Sequence, residues 1–134
     1  MQKKLIELSN TYLEAGNAIH DAVRGIIKGA GGFINASNNN QDKPDITALV
    51  FDSKKGYSEA YPIRGLRVNP KDEVEVFVGN FGTLYTDKYL RGKASEERWR
   101  TLKSSNILFY QTILSIAKTI DEYLPDGGNR GALL

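Results

Sequence analysis

The sequence predicts an α+β domain: an N-terminal helix, an antiparallel meander of three to four strands and a long C-terminal helix, with both helices packed on one face of the sheet. Three observations carry this reading. Apolar residues recur at steps of three and four near both ends of the chain. Between them lie three runs rich in Val, Ile, Tyr and Phe, separated by the turn-forming stretches Asp52-Ser53-Lys54-Lys55-Gly56 and Asn69-Pro70-Lys71-Asp72. No segment repeats, so the order is simply α, β, α. At 134 residues, 40% hydrophobic and 25% charged, the chain is expected to form one domain over residues 1–125, followed by a flexible tail over 126–134.

The first helix rests on Leu5, Leu8, Tyr12, Ala15, Ile19, Ala22 and Ile26, a heptad-like stripe that Ile6, Leu13, Val23 and Ile27 widen on one flank. Gly16 and Gly25 fall inside it, each costing up to about 1 kcal/mol relative to alanine. A close neighbour would explain a glycine at either point, although simple tolerance is the expected reason. Gly29-Ala30-Gly31-Gly32 supplies the left-handed cap that ends the helix.

Residues 35–45, from Asn35 through the asparagine run to Asp45, read as an exposed polar loop. The strands follow at 46–51, 57–68 and 73–78. In the second hairpin Val74, Val76 and Val78 share a face, as do Leu66 and Val68. Pairing Val68 with Val74 and Leu66 with Val76 satisfies both sets and sets Arg67 opposite Glu75 on the other face, as an exposed ion pair. Ile63 and Leu66 break the alternation across Arg64-Gly65, which predicts a bulge, and Pro62 beside it predicts an edge or a bend. Thr83–Thr86 offers a short fourth strand. Ser95 then reads as a helix N-cap with Glu96 and Glu97 in the first turn. The stripe Trp99, Leu102, Asn106, Phe109, Ile113, Ile116, Ile120 and Tyr123 extends that helix to Pro125.

Composition excludes several chemistries. With no cysteine there is no disulfide and no thiolate nucleophile. The single histidine, His20, is expected to be structural or solvated, because no supporting nucleophile and acid are visible around it. One histidine without cysteine makes a zinc site improbable, and Asn38, Asn40, Asp42 and Asp45 lack the glycine and closing glutamate of a calcium loop. No catalytic set, metal or cofactor is therefore predicted. Glu7, Asn10 and Glu14 interrupt any apolar core of a secretory leader, and no stretch is long enough to span a bilayer, so the chain is expected to be cytoplasmic with no membrane partner.

Three functions compete. The first is a non-enzymatic protein-interaction or assembly module, a homo-oligomer or a partner of another protein. It would use Leu5, Leu8, Tyr12, Ile19 and Ile26 of the first helix, with Phe77, which faces away from the valines and is exposed unless something covers it. The second is nucleic-acid binding by Lys88, Arg91, Lys93, Arg98, Arg100 and Lys103, six cations against Glu96 and Glu97 with Tyr89 and Trp99 interleaved. Trp99 also fits the apolar stripe and is expected in the core. The third is a small-ligand or enzymatic pocket beneath the 35–45 loop.

Overall fold

A computed structural model describes residues 2–37, 44–104 and 106–124, with side chains from Glu14 onward. Helix α1 (Gln2–Gly29) closes as the glycines require, with Gly31 and Gly32 at φ of 95° and 86° and the Gly32 N–H returning to Ile27 O at 2.9 Å. Its buried side is centred on His20, Val23 and Ile27, while Ala22, which the stripe placed in the middle, is exposed. The helix is rotated by about one residue from the predicted face. Burying the branched side chains of Val23 and Ile27 removes more apolar surface from water than burying one alanine methyl. Ile26 is buried in the chain's own core and Ile19 packs against it, which corrects their assignment to a free surface.

The two interior glycines of α1, Gly16 and Gly25, differ. A Cβ on Gly16 would stand 2.9 Å from Phe109 Cε2 and 3.3 Å from Tyr110 Cδ2, whereas one on Gly25 would meet nothing within 4 Å. Gly16 thus lets a second helix approach, and Gly25 is tolerance alone. Gly25→Ala is expected to stabilise the fold by about 0.5–1 kcal/mol, and Gly16→Ala to destabilise it by about 1–3 kcal/mol, the usual range for overpacking. Urea midpoints that move the same way in both variants would contradict this account.

The sheet has five antiparallel strands, not three or four: β1 (Phe33–Asn35), β2 (Ile46–Asp52), β3 (Tyr57–Val68), β4 (Val74–Val78) and β5 (Trp99–Thr101). β3 is the spine. β1 and β2 lie end to end along it, with Asn35 opposite Gly65 and Ile46 opposite Ile63, and the sheet continues from β3 to β4 to β5. The β3–β4 register is the predicted one, Val68 to Val74, Arg67 to Glu75 and Leu66 to Val76, with the irregularity between Ile63 and Gly65. Pro62 sits beside that shift, and its carbonyl accepts the Gly79 N–H at 2.9 Å. Thr83–Thr86 forms no strand; Thr86 instead caps the next helix.

The C-terminal half departs furthest from expectation. In place of one helix from Ser95 there are a short helix α2 (Asp87–Arg91), a 3₁₀ turn (Lys93–Arg98), strand β5 and then helix α3 (Phe109–Thr119), which tightens into a 3₁₀ turn at Ile120–Tyr123. The helical stretch is thus 15 residues long, far shorter than predicted. Trp99 and Leu102 keep the helical spacing but enter different clusters, because a strand and a turn carry them to opposite faces of the sheet. Pro125 and the tail at 126–134 lie outside the described residues.

α3 also covers the free side of β2. Ser115 Oγ accepts the Thr47 N–H at 3.1 Å, Thr112 Oγ1 accepts the Leu49 N–H at 3.1 Å, and Asn106 O accepts the Phe51 N–H at 2.8 Å. The Leu108 N–H donates to Leu49 O at 2.9 Å, and Ile107 bridges Val50. Hydroxyls and one turn of backbone thus satisfy donors that an edge strand would leave open. The sheet curls so that the chain leaving β5 returns to β2. Inside the curl, Val23, Ile26 and Ile27 of α1 and Ile113, Ile116 and Ile120 of α3 share one core with Ile34, Ile46, Ile63, Leu66 and Val76.

Candidate nucleic-acid interface

The outer face of the sheet carries a second, aromatic cluster. Phe77, Leu90 and Trp99 are its buried members, and Phe33 and Tyr85 pack against them. The connection from β4 to β5 builds this cluster by folding back over the sheet. Asn35 Nδ2 donates to Tyr85 O at 2.9 Å and to Asp87 Oδ1 at 2.7 Å, while Ser37 Oγ accepts the Tyr85 N–H at 3.0 Å. Thr86 Oγ1 caps α2 by accepting the Tyr89 N–H at 3.1 Å. The Ser95 hydroxyl, predicted to start a helix, is buried and bonds Leu90 O at 2.8 Å. Trp99 Nε1 donates to the same carbonyl at 3.3 Å.

Phe77 is therefore fully buried by its own chain, which corrects its assignment to an exposed interface. The ion pair expected beside it is not exposed either. Arg67 lies 4.2 Å above the Trp99 ring, with its Nε 2.7 Å from Glu75 and its other two nitrogens 3.1 Å from both Glu96 oxygens. The guanidinium holds the Glu96 carboxyl below its ordinary pKa, so of the segment's three carboxylates, Asp87, Glu96 and Glu97, one is drawn to β3.

Guanidinium stacking recurs along this face. Arg91 sits 4.0 Å from the Phe33 ring centre, and Arg98 sits 5.0 Å from Phe77 and 5.9 Å from Tyr85. Such contacts fix the plane of a guanidinium while leaving its N–H groups free for an anion. Tyr89, Leu84 and Phe81 are exposed in the same segment, and Tyr89 leans on Tyr85 and Phe77.

Among the described residues, Arg24, Lys28, Lys55, Arg64 and Arg67 each have a carboxylate partner; the scattered Lys54, Lys71 and Lys118 have none, and neither do the six predicted cations Lys88, Arg91, Lys93, Arg98, Arg100 and Lys103. The fold divides these six. Lys88, Arg91, Lys93 and Arg98 belong to the outer segment. Arg100 pairs across the sheet with the inward-facing Val76, and with Arg98 it lines a cleft of about 310 Å³ at the mouth of the curl, beside Tyr61, Asn80 and Asn106. Lys103 lies apart, in a cleft of about 430 Å³ with Asn17 of α1 and Phe109 of α3. Sequence reasoning did not find Tyr61, Asn80 or Asn106. They come from β3, the Gly-Asn-Phe-Gly turn and the segment before α3, and only the curl brings them together.

His20 is buried, its Nε2 accepting the Val74 N–H at a long 3.5 Å and its Nδ1 facing Asp21 at 3.6 Å, with the ring against Phe109. Burial lowers its pKa, Lys103 and Arg24 lower it further, and the Asp21 hydrogen bond only partly opposes them. The native state thus resists a proton that the unfolded chain accepts near pH 6.5. Stability is fully present above that pH and is lost as pH falls below it towards the folded value. Melting temperature is expected to fall between about pH 7 and about pH 5.5 and to do so less in His20→Gln; equal slopes would show that His20 is not the titrating group. The side chains of Leu5, Leu8 and Tyr12 lie outside the described residues, as does the middle of the 35–45 loop at 38–43. The described ends of that loop are pinned: Asn35 and Ser37 to the outer segment, Asp45 to Arg64 at 2.8 Å, and Pro44 O to the Tyr123 hydroxyl. Among the described residues no cluster of His, Asp or Glu is placed to hold a metal ion, and no helix is long and apolar enough to cross a membrane.

No known protein family, no curated protein and no solved structure matches this chain.

Proposed function

We propose that this chain binds single-stranded nucleic acid through the outer segment at 85–98. The observation that supports this reading is the set of unpaired cations, because the chain's other described arginines are matched with carboxylates while this segment's are not. Lys88, Arg91, Lys93 and Arg98 neutralise phosphates and release counterions, and the exposed ring of Tyr89 offers a flat surface for a base. Arg91 and Arg98 already rest against rings of the aromatic cluster, so less side-chain freedom is lost when they bind. No reaction forms part of this function.

The test is fluorescence anisotropy with a labelled oligouridylate and an oligothymidylate across a salt series. Affinity is expected to fall steeply between about 50 and 200 mM salt, and each of Lys88→Ala, Arg91→Ala and Lys93→Ala to reduce the log–log slope by about 0.7. Binding that is absent, or that ignores salt, would remove this reading.

A second reading is assembly between copies through α1. It is favoured by the continuity of that element, one unbroken helix from Gln2 to Gly29 that runs about 42 Å and carries Leu5, Leu8 and Tyr12 at helical spacing. Light scattering decides it: a dimer that Leu5→Asp and Leu8→Asp convert to monomer supports assembly, and a monomeric parent chain ends it.

A further inference from the structure

We propose that the cleft at the mouth of the curled sheet is a subsite for a terminal phosphomonoester, so that the chain prefers a phosphorylated strand end to an internal phosphate. This rests on the nucleic-acid reading above and sharpens it. Arg98 and Arg100 reach the cleft from either side of Trp99, and neither has a carboxylate partner among the described residues. Their nitrogens touch only weak or local acceptors: Arg98 has Val78 O at 3.4 Å and the Tyr85 hydroxyl at 3.5 Å, and Arg100 has the carbonyls of Glu97 and Trp99. Both arginines line the same concavity, so an anion bound there meets two positive charges.

The dianionic character of the ligand follows from the charge present. An internal phosphodiester brings one negative charge, while a terminal monoester brings about 1.5 to 2 near neutral pH together with three acceptor oxygens. Two arginines match the second better than the first. Tyr61 of the cleft lining donates its hydroxyl to the Glu59 carboxylate at 2.6 Å. Lys55 already holds it at 2.7 Å and draws its pKa down, so its charge is compensated locally. Asn80 and Asn106 line the remaining wall, and in the proposed subsite the Asn106 amide donates an N–H to a phosphate oxygen. A volume of about 310 Å³ suits one nucleotide and not a running strand.

The experiment compares three probes on the full chain: an oligothymidylate with a terminal phosphate at either end, the same oligomer ending in hydroxyls, and thymidine monophosphate as competitor. Phosphorylated oligomer is expected to bind about tenfold more tightly than the hydroxyl form, the worth of a charge-assisted pair. That ratio is expected to fall to near one in Arg100→Ala and in Asn106→Ala, and to survive in Lys88→Ala, which weakens both oligomers together. The monophosphate is expected to compete away only the phosphate-dependent gain. Equal affinity of the parent chain for the two oligomers, or a ratio unchanged in both cleft variants, overturns the subsite. If neither oligomer binds, the outer-segment reading fails by itself. Monophosphate binding that Arg100→Ala abolishes would then uphold the cleft as a phosphomonoester site, and its absence would end that too.

Discussion

Replacing Phe77 by alanine is expected to cost about 3–5 kcal/mol, the range for truncating a fully enclosed phenylalanine. Phe77 has no exposed surface and makes edge contacts with Tyr85, Trp99 and Tyr89 at centroid distances of 4.9, 5.6 and 6.2 Å. It is the floor on which the segment from Tyr85 to Arg98 is laid. Little of the void can close, because the sheet backbone lies beneath it and a Cβ on Gly65 would already stand 2.8 Å from the Trp99 ring. Denaturant unfolding measures the loss directly, and Phe77→Leu is expected to retain most of the stability. A Phe77→Ala variant within about 1 kcal/mol of the parent would mean that the outer cluster is not seated on the sheet. The same variant removes the ring beneath Arg98, so weaker binding of nucleic acid is expected along with the lower stability.

Asp45→Ala is expected to cost about 2–3 kcal/mol. Its partner Arg64 is a charged residue with 2% of its side chain exposed, held by Asp45 at 2.8 Å and Asn80 O at 3.3 Å, with its Nε unpartnered. Removing the carboxylate strands a buried charge, which is dearer than never having had the pair. Asp45 keeps about a third of its own side chain in water, so the expected loss stays below the full range for an enclosed pair. Asp45→Ala combined with Arg64→Met is expected to recover most of the stability, since both charges are then gone and the volume is kept. A double variant no better than Asp45→Ala would show that the arginine is tolerated without its partner.

The legible parts of this fold are those in which local pattern and packing agree. The β3–β4 register could be worked out from five apolar residues because a one-residue slip would have turned every valine to the wrong face. α1 was legible as a helix but misplaced by one residue, since spacing counts alanine as apolar and packing rewards size. The region after Lys88 was misread because Trp99, Leu102, Asn106 and Phe109 imitate a helical stripe. Ser104, Ser105 and Asn106, poor helix formers in a row, were the signal against it. Of the candidate site, the cations could be found from their density along the chain. Their division into an outer segment and a cleft could not, because it depends on which side of a three-residue strand each one leaves. The burial of Phe77 is likewise out of reach, since its cover comes from Tyr85, Leu90 and Trp99, which the sequence divides among a short strand, an irregular charged connection and a helix.

The hydroxyl seam between β2 and α3 gives the chain an order of vulnerability during synthesis. Thr47 and Leu49 emerge from the ribosome more than sixty positions before the side chains that accept their N–H groups. Until Thr112 and Ser115 arrive, β2 is an open template for another strand, of this chain or of a neighbour. A nascent or prematurely terminated product ending before α3 would hold all five strands and still lack the element that makes the sheet unsociable. Helix α3 is therefore expected to close the seam against aggregation as well as adding to the core.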